Sequence, residues 1–210
     1  MRTGRRRGAL VVLEGIDGSG KSTLQRALAE RWEARGWPVL LRREPNDPEL
    51  GREAQLQGAR DPLAGAVYFT LDRALNRPLT EAALARKVVV LQDRSYYSTI
   101  AYQASAMTPA ERLAILLLQR RVSVEPDRVL WLDLSPVEAL RRLDARGGPR
   151  APLERRRTLE RVRRAYRRMA RPPRWAILDA SQGPSTVAER ADRQLYAFLR
   201  RRLGPGRAGS

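Results

Sequence analysis

Gly15-Ile16-Asp17-Gly18-Ser19-Gly20-Lys21-Ser22-Thr23 has the spacing G-x-x-x-x-G-K-[ST], that of a loop that wraps nucleotide phosphates. Each part has a mechanical reason. Gly15, Gly18 and Gly20 permit backbone conformations closed to residues with a Cβ, so amide N–H groups can converge on an anion. Lys21 brings a compact positive charge to the β- and γ-phosphates, and Ser22 offers a hydroxyl to Mg²⁺. Before the loop, Leu10-Val11-Val12-Leu13 reads as a buried parallel strand. After it, Leu24, Ala27, Leu28 and Trp32 recur at helical spacing. The phosphates are therefore expected at a helix N-terminus, where free N–H groups and the helix dipole favour anions. All nine residues, Ile16 and Thr23 included, are assigned to the nucleotide site.

Outward from this loop, strand and helix patterns alternate. The first helix is expected from Lys21 to about Arg35, stopping at Gly36. Strand two is Val39-Leu40-Leu41. A helix opens at Arg60-Asp61-Pro62 and runs to about Leu75, and a separate one is expected from Pro78 to Arg86. Strand three is Val88-Val89-Val90-Leu91. Thr108-Pro109-Ala110-Glu111 is a clean helix start, with a cap, a first-position proline and a glutamate at the third position. Strand four, Val129 to Leu132, ends at Asp133. Helices follow over Pro136 to Arg146 and Glu154 to Ala170; the second is strongly basic and is closed by Pro172-Pro173. Strand five is Ala176-Ile177-Leu178, ending at Asp179, and Val187 to Leu203 is the last helix. Five short strands separated by helices imply an α/β fold with a five-stranded parallel sheet and right-handed crossovers. Ligands then gather at the carboxyl ends of the strands. One domain is expected over residues 8–203, with a flexible basic arm at 1–7 and a flexible Gly/Pro-rich tail at 204–210.

Composition excludes several chemistries. The 210 residues include no cysteine and no histidine, which removes disulfides, thiolate or imidazole metal sites and His-based acid/base catalysis. A chain without cysteine fits a cytoplasmic protein, and no apolar run approaches a membrane span. The formal net charge is +18, which taken alone points to nucleic acid. All but Lys21 and Lys87 of the 41 basic residues are arginines, spread over most predicted helices. That distribution fits a solvated basic surface with no specific nucleic-acid partner.

Further chemistry lies at the predicted strand ends: Arg43-Glu44-Pro45 after strand two, and Asp93 to Gln103 after strand three. With Asp17 in the phosphate loop, Phe69-Thr70-Leu71-Asp72-Arg73 on a helix, Leu132-Asp133 with Pro136, and Arg161 to Tyr166, these segments resemble the thymidylate (dTMP) kinases of the nucleoside monophosphate kinase group. The resemblance spans about residues 9–200. It implies a P-loop kinase fold with an Arg-rich lid, here residues 146–157, and suggests a homodimer. It implies a stack of Phe69 on thymine and a donor from Arg73 to a thymine carbonyl. Thr99 and Gln103 would face the base edge, and Tyr102 would occupy the place of a ribose 2′-hydroxyl. Asp17 would accept from the sugar 3′-hydroxyl. Arg43 and Arg94 would grip the acceptor phosphate, and Arg94 would also bridge towards the transferred group. Arg142 would join the ATP site. Asp93 would hold Mg²⁺ waters or orient Arg94, with Ser22 as the other metal residue. Some relatives carry a catalytic arginine in the phosphate loop, where this chain has Gly18; in others the lid supplies it. Arg150 is the first choice here and Arg146 the second.

The chain departs from the family pattern at Asn46-Asp47, where glycine is usual, at Ser95 in place of tyrosine, and in the lid, which lacks an aspartate ahead of its arginine. The implied reaction is transfer of the ATP γ-phosphate, with Mg²⁺, to dTMP, giving dTDP and ADP. The alternatives are a deoxynucleoside kinase, a monophosphate kinase for another base, and a nucleic-acid-binding ATPase. The last is disfavoured by the lack of a basic patch interleaved with aromatics.

Overall fold

The computed structural model describes residues 8–147 and 153–205. The five strands are β1 (Ala9–Glu14), β2 (Val39–Arg43), β3 (Val89–Asp93), β4 (Arg128–Asp133) and β5 (Trp175–Asp179). All pair in parallel, in the order β2-β3-β1-β4-β5. Every residue of β1 and β3 is buried, which is why both read as nearly unbroken aliphatic runs. From β1 the chain goes to β2, returns to β3, then passes to the other side for β4 and β5. The strand order therefore divides at β1, and a crevice opens beyond its carboxyl end. Register brings the other strand ends to the same rim: Asp93 lies beside Leu13 and Arg43, and Asp133 beside Asp179.

Eight α-helices lie among the described residues: α1 (Lys21–Glu33), α2 (Pro48–Gly58), α3 (Pro62–Ala85), α4 (Tyr96–Tyr102), α5 (Pro109–Val122), α6 (Pro136–Arg146), α7 (Arg156–Met169) and α8 (Pro184–Leu203). The helix start at Thr108 is a full capping box. The Arg-rich α7 is held to the core by Leu159, Val162 and Tyr166, which recur on one face and are fully buried.

Two features differ from expectation. The two helices expected on either side of Asn76-Arg77 are one, Pro62–Ala85, with Pro78 inside it. An interior proline forfeits one hydrogen bond and costs about 3 kcal/mol. Tertiary packing offsets that cost: Ala83 and Leu84 seal against Leu10, Val12 and Val90, and burying a leucine contributes ~2 kcal/mol. Arg77 also pairs with Glu81 across the proline at 2.8 Å. Second, α2 and α4 were not expected. Helix α2 begins where Asp47 accepts from the N–H groups of Glu49 and Leu50 at 2.8 and 3.0 Å, ahead of Pro48. That start signal is legible in Asp47-Pro48-Glu49. Helix α4 has seven residues, too few to display a period; Ser95 caps it, accepting from Tyr97 N–H at 3.3 Å.

Candidate active site

The phosphate loop connects β1 to α1, with Gly20 at φ 91° directly ahead of the helix. A Cβ on Gly18, at φ 80°, would lie 2.6 Å from the carbonyl oxygen of Ala139, so α6 closes this position to any larger residue. Lys21 is buried, and its Nζ donates to the carbonyls of Gly15 and Ile16 at 3.1 Å each. Burial, and then the repulsion of Arg94, lower its pKa. Ser22 Oγ donates to Asp93 Oδ2 at 2.9 Å. Asp93 Oδ1 is buried and has no hydrogen-bond partner among the described residues. These groups line a cleft of about 730 Å³ whose far wall is α6 and the turn between β5 and α8. Arg142 is fixed on that wall, with Nε on Glu138 Oε1 at 2.8 Å and Nη2 on the carbonyl of Ala180 at 3.0 Å.

A second cleft of about 240 Å³ collects Phe69, Arg73, Thr99, Tyr102 and Gln103, residues drawn from α3, α4 and the turn after α4. Phe69 is half-buried and belongs to none of the hydrophobic core clusters, so its face is open to a ligand. Gln103 is buried. Arg73 is buried but not alone. Glu44 Oε2 accepts from its Nη2 at 2.5 Å, and Gln119 Oε1 accepts from its Nη1.

The two clefts meet at Asp17, Arg43, Arg94 and Arg146, each of which lines both. Arg94 is the central member. It takes φ 72°, a region few residues with side chains adopt, and its N–H is pinned to the carbonyl of Leu13 at 3.0 Å. Its guanidinium donates to Asp17 Oδ1, and to Ser98 Oγ at 3.2 Å, and lies 5.2 Å from the centre of the Tyr102 ring. Asp93 Oδ2 accepts from Ser22 Oγ, while the guanidinium of Arg94 is engaged by Asp17 and Ser98. Burial disfavours charge on both partners of the ion pair. Even so, the Arg94 and Lys21 cations hold the Asp17 carboxyl below its usual value, and Asp17 holds the Arg94 pKa well up. The Tyr102 phenol is pushed far up, first by burial and then by Asp17. Arg43 is exposed and makes no ion pair with a described residue. Arg146 reaches Glu154 at 3.7 Å. Arg150 lies outside the described residues, as does the rest of the lid from residue 148 to 152.

Several functional neighbours carried no assigned role in the sequence. Glu14, fully buried at the end of β1, accepts from Ser95 Oγ and Ser98 Oγ at 2.7 Å and from the Tyr166 hydroxyl at 2.8 Å. An acid closing an aliphatic strand was the only available signal. Burial pushes its pKa up, against the lowering pull of those three hydroxyls. Ser95, the departure from tyrosine, thus does two jobs, capping α4 and satisfying Glu14. Asp72 is a strap. It accepts from the N–H groups of Asn46 and Asp47 at 3.0 and 2.8 Å, which fixes the turn that follows Arg43-Glu44-Pro45. The side chains account for the departure at Asn46-Asp47: Asn46 Nδ2 donates to Asp72 Oδ2 at 3.3 Å, Asn46 Oδ1 accepts from Arg42 Nη2 at 2.6 Å, and Asp47 caps α2.

A family profile described as thymidylate kinase matches residues 13–191. A thymidylate kinase of Xanthomonas campestris pv. campestris (strain B100) is 35% identical over 203 residues, covering 95% of this chain and 88% of that protein. A probable thymidylate kinase of Pyrococcus abyssi is 40% identical over 151 residues, 67% of this chain and 72% of its own. One of Thermococcus gammatolerans is 38% identical over 152 residues.

Proposed function

The chain belongs to the thymidylate kinase family, and from that membership we propose that its two clefts hold ATP and dTMP with their phosphates meeting at Arg94. The enzyme transfers the γ-phosphate of ATP to dTMP, giving dTDP and ADP. An oxygen of the dTMP phosphate forms the new bond to the γ-phosphorus while the bond to the β,γ-bridging oxygen breaks and ADP leaves. The attacking phosphate is already largely ionised near neutral pH, so no general base is required, consistent with a chain without histidine. Catalysis is positioning plus positive charge. Lys21 meets the β- and γ-phosphates, and Arg142 flanks the adenine end of the larger cleft. Arg43 and Arg94 grip the acceptor phosphate. Arg146 and Arg150 supply charge from the lid. In the smaller cleft Phe69 stacks on the base, Arg73, Thr99 and Gln103 read its edge, and Tyr102 and Asp17 read the sugar. The observation that carries this reading is the sharing of Asp17, Arg43, Arg94 and Arg146 by both clefts.

Mg²⁺ fits the donor set. Asp93 Oδ1 is a buried carboxylate oxygen with no partner among the described residues, beside the Ser22 hydroxyl. Ser22 and Asp93 would hold the ion or its waters. Bound there, it would neutralise charge on the β- and γ-phosphate oxygens.

The partner copy in a homodimer would cover α3 and α5. Val67, Leu71, Leu75 and Leu79 recur every four residues on α3 and are exposed, as are Leu113 and Leu117 on the neighbouring α5. Contiguous exposed leucines of this kind mark an interface. No described helix is long and apolar enough to cross a membrane; a cytoplasmic location is our reading.

The test is an acceptor survey. With MgATP, ADP release is followed for dTMP, dUMP, ribose TMP, dCMP, dGMP, thymidine and single-stranded DNA. We expect dTMP first and dUMP second, since a missing methyl costs about ten- to two-hundred-fold, whereas a lost hydrogen-bonding group costs far more. Thymidine is expected to be inert. Turnover of thymidine in preference to dTMP would move the chain to the deoxynucleoside kinases, and ADP release needing only DNA would overturn the reading.

A further inference from the structure

We propose that Gln119, on α5, is a positioning residue that sets base selectivity by locking the guanidinium of Arg73 in one orientation; the inference rests on the smaller cleft being the dTMP site. Arg73 is 6% exposed and Gln119 is fully buried. A guanidinium has five N–H groups and accepts nothing. The Nε–H of Arg73 lies between the two carboxylate oxygens of Glu44, at 3.1 and 3.0 Å. Nη2 donates to Glu44 Oε2 at 2.5 Å and to Thr99 Oγ1 at 3.4 Å. One N–H of Nη1 goes to Gln119 Oε1, and the other has no partner among the described residues. Glu44 grips a single edge of the guanidinium, about which it could still tilt. Gln119 holds the opposite corner and removes that freedom.

The orientation of Gln119 is itself dictated. Its Nε2 donates to Thr70 Oγ1 at 2.6 Å, and that hydroxyl is committed to the carbonyl of Ala66, also at 2.6 Å. Turning the amide over would set its NH₂ against an arginine N–H and its oxygen against the lone pairs of Thr70. The chain of donors therefore runs one way, from Arg73 to Gln119 Oε1 at one end of the amide and from Nε2 through Thr70 to a helix carbonyl at the other. Glu44 is steadied in the same manner by Gln92, whose Nε2 donates to Oε1 at 2.9 Å.

The consequence is selectivity. Thymine carries a carbonyl oxygen where cytosine carries an amino group. The free N–H of a locked arginine satisfies the first and faces another donor in the second. A loose arginine could swing aside and admit cytosine; a locked one cannot, and an unpaired polar group in a closed site is strongly rejected.

Gln119→Met keeps side-chain length and deletes the acceptor. Thr70→Val deletes the hydroxyl that orients Gln119. The kcat/KM ratio of dTMP to dCMP is expected to fall ten-fold or more in Gln119→Met and three-fold or more in Thr70→Val, with the KM for ATP within two-fold of the parent. A residue that served only stability would change Tm and leave this ratio alone. A fall of three-fold or more in either folded variant supports the proposal, and a smaller change in every folded variant overturns it; Thr70→Val decides should Gln119→Met fail to fold. Calorimetric titration of dTMP and dCMP into the same proteins reads the lock without turnover. A parent that binds dTMP over dCMP but does not phosphorylate it would sink the kinase reading alone, leaving the lock to be judged by the variants' binding ratios. A parent that binds neither overturns both.

Discussion

The Tyr102 hydroxyl is held by two groups of Asp17: it donates to Oδ2 at 2.9 Å and accepts from the Asp17 backbone N–H at 3.2 Å. Residues 85 positions apart are thereby joined, and α4 is stitched to the third residue of the phosphate motif. Tyr102→Phe removes the stitch and keeps the ring. We expect the KM for dTMP to rise about ten- to hundred-fold, in line with about 1.5–3 kcal/mol for a hydrogen bond to a charged group, while preference for dTMP over ribose TMP survives. Tyr102→Ala removes the ring as well, and that preference should collapse. Loss of the preference in Tyr102→Phe would mean that the hydroxyl, not the ring, excludes ribose.

Lys21→Ala deletes the cation at the phosphate loop and leaves the core untouched. Turnover should fall by about 10²–10³, with a circular dichroism spectrum like the parent's. Near-parent turnover would remove Lys21 from the catalytic group.

Asp93→Asn should raise the Mg²⁺ concentration for half-maximal rate about ten-fold or more, because an amide is a far poorer ligand for a hard cation. A Mg²⁺ titration of the two proteins checks this. Removal of divalent ions by a chelator should stop the parent, and added Mg²⁺ should restore it.

Glu14 makes stability depend on pH in a predictable direction. Its pKa in the folded protein is raised above the ordinary 4.5 by burial. Between 4.5 and that raised value the folded chain binds more protons than the unfolded one, so stability falls as pH rises through this window. Glu14→Gln cannot ionise and lacks this term. The Tm of the variant minus that of the parent should therefore become more positive from pH 4.5 upward, whatever its offset from lost hydrogen bonds. A flat difference would show that the carboxyl titrates alike in both states.

Leu75→Arg places a charge in the exposed apolar row of α3, where Leu75 is 64% exposed. On the proposed homodimer, the parent should sediment as a dimer and the variant as a monomer, since a charge buried in an interface without a partner is costly. Unchanged sedimentation would take this face out of the subunit contact.

Sequence alone determined the parallel sheet and the glycine-rich loop between β1 and α1. Aliphatic runs, helical periods and the glycine spacing from Gly15 to Gly20 are local patterns, and each constrains the backbone at its own position. The grouping of the residues that line the smaller cleft was legible as well, because Phe69 and Arg73 share a helix face and Asp93 to Gln103 leave a strand end. Which of these groups are free and which are held was decided by tertiary structure. Arg73 and Gln119 are 46 residues apart, and Glu14 and Tyr166 are 152 apart. No local period encodes such pairs. They form because β1, β3 and the helices around them bring buried polar groups together away from water, where each must find a partner. Apolar packing at long range joined the two helices expected around Pro78: the proline signal is local, and the packing that overrides it is not.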